Sequence, residues 1–317
     1  MTNEVEVKLM VVSEDSLFID RFINKKGIKL LNDESVCLDN RYFDTAEQLL
    51  YKNGIALRVR NYNNSCEMTI KTKSGISGGL HIHPEYNISL DTSPKIPNID
   101  LFPKEIFAAV DVEYIKQNLL ENMSQKCLRH IFLIEYKNTI IEISFDTVNY
   151  KGKENIITSK EIEFELKEGE VNTLLEFVLC FLDFVGSGIV RIGTLSKMHR
   201  AAIYAGISPV PAVKSAVTDT DTDLDLFKNF ESWEINFLLA PSALSYEGLK
   251  VIISTLANSS NKYLGREFEK LSKKLQLLSD FNDGYKYLPI YLSEVDFVKA
   301  RLNFNFNKAF EEGVVNE

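Results

Sequence analysis

The sequence predicts an α+β fold in which a β-rich part, whose strands each have a polar and an apolar face, precedes an all-helical region. Six segments between residues 4 and 167 alternate charged and apolar side chains with a period of two, which is the period of a β-strand. Beyond residue 223, apolar residues recur at helical spacing instead, as at Leu226, Phe230, Trp233 and Phe237. The two patterns divide the chain into a β-rich part and a helical part.

The first strand shows the alternation most clearly. Glu4, Glu6 and Lys8 point to one side, and the apolar residues between them point to the other. Taken alone, this strand is most simply interpreted as half-buried, with its charges in water. Whether its charged face is solvated or enclosed depends on the other alternating segments.

Five further segments repeat the pattern with charges of both signs. Their polar-face residues are Arg58 and Arg60; Glu67, Thr69, Lys71 and Lys73; Arg129 and Glu135; Glu142, Ser144 and Asp146; and Glu161, Glu163, Glu165 and Lys167. Such rows are either solvated sheet faces or the lining of a closed barrel whose apolar exterior is covered by helices. In a barrel, the acid-rich and basic strands would together form a site for metal cations and a polyanion.

The composition limits the functions that the chain can have. Its 317 residues suggest two domains, and its 45% hydrophobic and 26% charged residues are typical of a soluble globular protein. The net charge of −9 argues against broad nucleic-acid binding. No apolar run reaches the ~18 residues that span a membrane, so no membrane partner is expected. We expect no signal peptide, since an acidic N-terminus leads directly into a strand.

The cysteines indicate the redox compartment. Cys37, Cys66, Cys127 and Cys180 show neither metal-ligand spacing nor disulfide density. We therefore expect reduced thiols in a cytoplasmic protein.

The first half of the chain contains further predicted elements. In order, they are a helix over 15–24, a strand over 35–44, a turn at 52–54, a Gly/Ser-rich hairpin loop over 74–79, a loop over 94–103 and a polar helix-like stretch to residue 122. Asp44 either orients a basic neighbour or initiates a turn. His81 and His83 share one strand face and could bind a metal.

The second half begins with a helix over 171–185 that is apolar nearly all round and should pack on the barrel exterior. A short strand over 189–195 follows. Ser196 is the expected N-cap of the next helix, whose start would carry Lys197 into the barrel. Residues 208–223 have the composition of a linker. Helices are then expected from residue 224 and over 242–256, 261–278 and 288–310, which together make a small bundle.

Taken in order, these motifs resemble those of the CYTH superfamily, the triphosphate tunnel metalloenzymes. The Glu-x-Glu-x-Lys of Glu4, Glu6 and Lys8 is similar to the family signature. The other matches are Tyr42-Phe43-Asp44-Thr45, Ala56-Leu57-Arg58-Val59-Arg60, Thr69-Ile70-Lys71, Pro84-Glu85-Tyr86, Arg129, Glu142 with Asp146, Glu161-Ile162-Glu163, and Ser196-Lys197 with Arg200. The resemblance covers about residues 1–206, and its Pro-Glu-Tyr motif is similar to that of the bacterial triphosphatase branch.

The resemblance implies a closed antiparallel eight-stranded β tunnel with a defined set of site residues. The implied catalytic, phosphate-binding cations are Lys8, Arg58, Arg60, Lys71, Arg129 and Lys197. Further substrate contacts are implied for His83 and Arg200. The implied metal ligands are Glu4, Glu6, Glu142, Asp146, Glu161, Glu163 and Glu165. His83 departs from the family pattern, which commonly has Arg there, and His is charged only below about pH 6.5 unless its pKa is shifted.

The implied reaction is metal-dependent hydrolysis of inorganic triphosphate to pyrophosphate and phosphate. Carboxylates combined with phosphate oxygens suit Mg²⁺ or Mn²⁺, one ion orienting the phosphates and a second activating water. Related alternatives are a class IV adenylate cyclase and a thiamine or nucleoside triphosphatase. A non-enzymatic alternative is a polyphosphate-binding module. The expected partner is therefore triphosphate, another small molecule that bears a triphosphate, or polyphosphate, with no nucleic acid.

The resemblance also suggests the domain organisation. We expect a tunnel domain over 1–207, a linker over 208–223 and a helical bundle over 224–317. In the bacterial triphosphatase branch a helical CHAD domain often follows, and here the resemblance is positional, because no His occurs after His199. The bundle is therefore expected to be a degenerate or shortened CHAD-like domain, or an unrelated one.

Overall fold

The structure, a computed structural model, describes residues 2–14, 18–72, 78–218, 220–278 and 280–314. Lys73, the start of the helix predicted over 15–24 and most of the loop predicted over 74–79 lie outside these ranges.

Within the described ranges, nine antiparallel strands form one sheet, and eight of them close into a barrel. The strands are β1 (Thr2–Val11), β2 (Lys29–Asp44), β3 (Ile55–Tyr62), β4 (Ser65–Thr72), β5 (Leu80–Leu90), β6 (Leu120–Tyr136), β7 (Thr139–Lys151), β8 (Ile156–Glu168) and β9 (Val190–Ile192). Their order is β5-β4-β3-β2-β6-β7-β8-β1, and β1 also pairs with β5, which closes the barrel. The short β9 pairs with the end of β1. The predicted eight-stranded tunnel is confirmed.

The register of β1 places its charged side chains inside the barrel. Glu6 lies opposite Glu165 of β8 and His81 of β5, and Lys8 lies opposite Glu163. Glu6 is only 5% exposed and Lys8 only 3%, so these charges are not solvated. The intervening apolar residues of β1 pack in a core cluster on the outside. The interpretation of this strand as having its charges in water is therefore wrong.

Helices cover the apolar exterior of the barrel beside β1. Helices α1 (Ile19–Lys26) and α4 (Val171–Val185) supply Phe22, Phe177 and Phe181, which are fully buried. The centroid of the Phe22 ring lies 5.4 Å from each of the other two, in edge-on geometry. Burial of each such side chain stabilises the fold by roughly 1.5–3 kcal/mol. The prediction that residues 171–185 pack on the barrel exterior is confirmed.

Short helices cover the β3–β4 side of the barrel. They are α2 (Leu49–Lys52), two 3-10 turns (Ile99–Leu101 and Lys104–Phe107) and α3 (Val112–Asn118). The stretch predicted as helical to residue 122 ends earlier, because β6 begins at Leu120 and pairs with Asp44 of β2. Asp44 accepts three backbone N–H groups of the following turn at 2.7, 2.8 and 2.9 Å. It therefore stabilises a turn, the second of the two roles predicted for it.

One part of the barrel interior is apolar. Cys127 and Val148 lie in step with the charged positions of β6 and β7, and they form a buried cluster with Ala201 of α5 (Lys197–Tyr204). Helix α5 therefore enters the barrel, and its first residue reaches the charged part of the interior.

The C-terminal region is helical as predicted, but the described residues form five helices where the periodicity indicated four. They are α6 (Asp223–Leu239), α7 (Ala243–Leu256), α8 (Lys262–Gln276), α9 (Phe281–Tyr291) and α10 (Val295–Glu311). The helix predicted over 288–310 is divided between α9 and α10. Ser293 Oγ donates to the Ile290 carbonyl oxygen at 2.6 Å, which satisfies one terminal carbonyl of α9, and Glu294 then adopts an extended backbone.

Helix α10 takes part in two apolar cores. Val298, Leu302 and Phe306 join the cluster that contains β1 and α4, whereas Phe297 and Phe304 join the cluster of the other C-terminal helices. The division of the chain into a tunnel domain, a linker and a bundle stays a prediction. No helix among the described residues combines the length and apolarity that a membrane crossing requires.

We expect Phe306→Ala to reduce the free energy of unfolding by about 3–5 kcal/mol, the usual cost of removing a buried Phe side chain. Phe306 is fully buried against the barrel-side cluster. Urea denaturation followed by circular dichroism measures the loss. Leu244→Ala, at a position that is 75% exposed on α7, is the control and should change stability by less than about 0.5 kcal/mol. Equal stability of wild type and Phe306→Ala would show that α10 does not support the barrel.

Candidate active site

Charged side chains fill the barrel interior around β1. Lys8 Nζ lies 3.0 Å from Glu6 Oε1 and also contacts Glu163. Lys71 of β4 contacts Glu4 of β1 inside the barrel. The site residues predicted on β1 therefore each have a partner of opposite charge inside the barrel.

Asp146, Glu161 and Glu163 form a buried carboxylate cluster that could hold a metal, since their ligand atoms all lie within 4.8 Å of one another. Lys197 Nζ lies among them, 2.8 Å from Asp146 Oδ2, 2.6 Å from Glu163 Oε1 and in contact with Glu161. Ser196 is the N-cap of α5 as predicted, and its Oγ accepts a backbone N–H at 3.3 Å. The structure thus brings these predicted metal ligands together around an ammonium group of the protein.

Two guanidinium groups also contact this carboxylate cluster. Arg129 donates to Asp146 at 2.7 and 2.6 Å and to Glu163 at 2.7 Å. Arg200 contacts Glu161, which is fully buried. Charge-assisted hydrogen bonds of this kind are among the strongest in proteins. Each of the cations predicted on β6 and α5, namely Arg129, Lys197 and Arg200, therefore contacts at least one carboxylate of this cluster.

The pKa values show that the charge of this cluster is compensated. Burial disfavours the charged form of Asp146, but Arg129 and Lys197 outweigh it and lower the pKa to about 2. Burial likewise opposes ionisation of Glu163, and Lys197, Lys8 and Arg129 nevertheless hold its pKa well below the usual range. Both carboxylates are ionised at neutral pH without any added cation.

Glu165 has the opposite electrostatic environment. In the sheet it lies directly opposite Glu142 and Glu6. Among the described residues, one ammonium lies beside both carboxylates: Lys167 Nζ is 2.7 Å from Glu165 Oε1 and 3.4 Å from Glu142 Oε2. Burial and the neighbouring charge of Glu4 raise the pKa of Glu165 to about 7. In the described part of the chain, Glu142 and Glu165 thus share one ammonium.

Arg60 on β3 has no carboxylate partner in the part of the chain that the structure describes. Its Nε donates to Asn40 Oδ1 at 2.8 Å, and among the described residues no carboxylate lies within ion-pair distance of its guanidinium. Burial and the positive charges of Arg58 and Arg129 lower the pKa of Arg60 to about 10. The side-chain nitrogen of Asn40 is buried and has no hydrogen-bond partner within the described ranges. These groups present donors and positive charge that an anion can satisfy.

Arg58 is only weakly paired. Its Nη2 donates to Thr69 Oγ1 at 3.0 Å and lies 3.7 Å from Glu67 and 3.8 Å from Glu85. Its Nε is buried and has no hydrogen-bond partner. The arginines of β3 thus differ from the cations of β6 and α5, which are held directly by carboxylates.

Two histidines on β5 are neutral at pH 7. Burial and then the charge of Lys8 lower the pKa of His81 to about 3, and His81 Nε2 lies 2.8 Å from the Gly193 carbonyl oxygen. Burial also lowers the pKa of His83, whose Nδ1 lies 3.2 Å from a carbonyl oxygen of β4. His83 therefore lacks the charge of the Arg that the resemblance led us to expect.

Sequence reasoning left three lumen residues out of the site. Lys167 alternates in step with Glu165, and this spacing could have identified it. Glu85 is part of the Pro-Glu-Tyr motif and lies 3.8 Å from Lys71 Nζ. Asn40 precedes the Tyr-Phe-Asp-Thr motif, but nothing in the sequence shows that its amide meets Arg60.

We expect the stability of the metal-free protein to fall as the pH rises through about 7, because of Glu165. Its pKa is raised from 4.5 to about 7, so its stabilising contribution is complete below pH 4.5 and is lost above pH 7. The contribution is on the order of 3 kcal/mol. Melting temperatures between pH 5 and 8 with EDTA should decline more steeply for wild type than for Glu165→Gln. Parallel curves would exclude this titration.

We expect Lys197→Met to destabilise the protein by about 3–5 kcal/mol, since the change leaves buried carboxylates without their central cation. Added Mn²⁺ should raise the melting temperature of this variant more than that of wild type, because the three carboxylates then accept a metal. Lys160→Met, which removes the exposed partner of Glu14, is the control. If Mn²⁺ raised the melting temperatures of wild type and Lys197→Met equally, the Lys197 ammonium would not occupy the position among the three carboxylates that a metal could take.

Known proteins resemble this chain over its first two thirds. An inorganic triphosphatase from Haemophilus influenzae is 29% identical over 181 residues, which are 56% of this chain and 49% of that relative. The chain thus spans about half the length of the relative.

Two solved structures are also similar. A Hippeastrum adenylyl cyclase candidate with a dominant triphosphatase activity is 20% identical, with 66% of this chain and 98% of that chain covered and a TM-score of 0.47. An adenylate cyclase candidate from Bacillus halodurans is 21% identical, with 63% and 98% covered and a TM-score of 0.40. The family model of the CYTH domain matches residues 2–202. This match covers more than half of the chain, which therefore belongs to the CYTH family.

Proposed function

We propose that this chain hydrolyses inorganic triphosphate to pyrophosphate and phosphate in the barrel interior, with Mg²⁺ or Mn²⁺ as cofactor. The observation that carries the proposal is the charge imbalance of the lumen. Among the described residues, Arg60 of β3 and the Asn40 amide of β2 have no anionic partner, while Glu142 and Glu165 share the ammonium of Lys167. A triphosphate bound together with a divalent cation would correct both deficits. Membership of the CYTH family and the triphosphatase relative support the same chemistry.

The carboxylates of β1, β7 and β8 fit a hard cation. Glu4, Glu6, Glu142 and Glu165 supply oxygen ligands in a region where burial, together with the charge of Glu4, raises the pKa of Glu165 to about 7. The cluster of Asp146, Glu161 and Glu163 already surrounds the ammonium of Lys197. We therefore assign the cofactor to the first group. When bound there, the metal would polarise phosphate oxygens and lower the pKa of the attacking water.

The protein cations bind and orient the substrate. Arg58 and Arg60 present hydrogen-bond donors that no carboxylate saturates, and Lys71 lies beside them on β4. Planar guanidinium groups are suited to bidentate phosphate contacts. Lys8 lies between the two groups of carboxylates, in contact with Glu6 and Glu163. It would exchange one of these contacts for a phosphate oxygen as the substrate binds.

The saturated cluster serves to hold the lumen cations in place. Arg129, Lys197 and Arg200 are fixed by Asp146, Glu161 and Glu163, so their charge is positioned before substrate arrives. Preorganised charge of this kind stabilises the charge that develops on transferred phosphoryl groups. The side chains also exclude bulk water from the interior, which strengthens these interactions. The proposal places this reaction in the cytoplasm, in agreement with four free cysteines.

A substrate panel tests the proposal. Phosphate release is measured for triphosphate, ATP and thiamine triphosphate, each with Mg²⁺, with Mn²⁺ and with EDTA. Triphosphate should be turned over fastest, yielding pyrophosphate and phosphate, and EDTA should abolish the reaction. Cyclic AMP as the main product from ATP would assign the chain to the cyclases. Tight polyphosphate binding without phosphate release would favour the binding-module alternative.

We expect Glu6→Gln to lower kcat and Lys8→Ala to raise KM for triphosphate. The first variant removes a metal ligand but keeps the side-chain size, and the second removes a phosphate partner and leaves the carboxylates intact. Each loss should be roughly 2–4 kcal/mol of transition-state stabilisation. Initial rates against metal and triphosphate concentration measure both effects.

The exposed pair Glu247 and Lys250 on α7 provides the matched controls. Glu247→Gln and Lys250→Ala repeat the same chemical changes outside the barrel and should leave the kinetics unchanged. Wild-type kinetics in Glu6→Gln would remove this residue from the metal site.

A further inference from the structure

The C-terminal helix α10 packs against β5 and β9, two strands that pair with β1. Two of its faces are buried, one with the barrel and one with the other C-terminal helices. Between these faces lies Asn305, a polar residue that is only 1% exposed. A buried amide has to find hydrogen-bond partners, so its contacts show what the helix is attached to.

Asn305 is bonded to the turn that precedes β5. Its Nδ2 donates to the Gly78 carbonyl oxygen at 3.1 Å and to the Arg301 carbonyl oxygen at 3.0 Å. Gly78 has a φ of +84°, and a Cβ atom placed on it would lie 1.6 Å from Asn305 Nδ2. Only glycine therefore allows this close approach, and the amide of Asn305 occupies the space above the Gly78 backbone.

The same turn is bonded to Lys8. The Gly79 carbonyl oxygen accepts the Lys8 backbone N–H at 2.8 Å, and the Lys8 carbonyl oxygen accepts the Gly193 N–H at 2.9 Å. Leu80, the next residue, pairs with Val7 as β5 begins. The position of the Gly78–Gly79 turn thus sets where the backbone of Lys8 lies, and with it the ammonium between Glu6 and Glu163.

On the side away from the barrel, α10 is attached to the other C-terminal helices by a buried ion pair. Arg301, one turn before Asn305, is fully buried and donates to Glu234 of α6 at 2.8 and 2.7 Å. Its guanidinium also lies 4.9 Å from the centroid of the Phe230 ring. A buried charge pair of this kind is strongly destabilised when one partner is missing, so it determines how α10 is placed on α6.

We propose that Asn305 is a positioning residue for Lys8, acting through the Gly78–Gly79 turn, and that the C-terminal helices are thereby part of the triphosphate site. The proposal rests on the proposed function for its kinetic consequence. The structural link from Asn305 to Lys8 is independent of which reaction the chain catalyses.

Asn305→Leu removes the hydrogen bond and keeps the side-chain size. It should raise KM for triphosphate about tenfold with a smaller change in kcat. Asn303→Leu is the matched control, because the one side-chain bond that Asn303 makes to described residues is the equivalent bond within α10, to the Lys299 carbonyl oxygen at 2.9 Å. This control should change KM by less than about twofold. Gly78→Ala disturbs the same contact from the other side and should reproduce the effect if Asn305→Leu does not fold.

A double-mutant cycle with Lys8→Ala separates positioning from general destabilisation. If Asn305 acts through Lys8, adding Asn305→Leu to Lys8→Ala causes little further loss of kcat/KM. Equal losses in the two backgrounds, or equal effects of the Asn303 and Asn305 changes, would overturn the proposal.

Hydrogen exchange provides a readout that needs no turnover. The Lys8 amide should exchange faster in Asn305→Leu than in wild type or Asn303→Leu, because its acceptor on Gly79 is no longer held. Unchanged exchange would overturn the positioning role even in an active enzyme. Faster exchange in a protein without triphosphatase activity would instead support the link and refute the proposed function.

Discussion

The ammonium of Lys197 lies among three buried carboxylates, and the architecture of the barrel depends on this ion-pair cluster. Ionised groups leave water at a cost of several kcal/mol each unless partners surround them. Asp146, Glu161 and Glu163 are compensated by Lys197 together with Arg129, Arg200 and Lys8. Because these cations come from β1, β6 and α5, the cluster can form only when the barrel has closed and α5 has entered it.

Such an interior cannot stabilise the fold by itself, so the stabilisation has to come from outside the barrel. The exterior of β1 packs against α1, α4 and α10 in one large apolar cluster. The barrel is thus inverted relative to a small barrel filled by apolar side chains. Substitutions in the lumen therefore leave the exterior core intact, and they change stability through the buried charges that they remove or leave unpaired. This arrangement also explains why a helix from the end of the chain packs on the outside of the barrel, against α4, β5 and β9.

The sequence allowed the polar face of each strand to be predicted, because the period-two alternation records which side chains share a face. It could not show whether that face was solvated or enclosed, since both give the same pattern. The exposed fraction of Glu6 decided between them. The family resemblance identified the cations and carboxylates of the lumen, but pairing depends on register between strands far apart in the chain. Thus neither the saturation of Asp146 by Arg129 nor the isolation of Arg60 could be inferred from residue types.

The helical region was the hardest part to interpret, for a related reason. Helical periodicity shows which residues are buried, but not which core buries them, and α10 contributes to two. Asn305 would pass as an ordinary polar residue of an amphipathic helix, and Gly78 as part of a flexible loop. Their contact joins residues that are 227 positions apart in the sequence. It is possible because residue 78 is glycine, since a side chain at this position would collide with the amide of Asn305. Contacts of this kind make an appended region integral to an active site, since a strand can be positioned only as accurately as the groups to which its backbone is bonded.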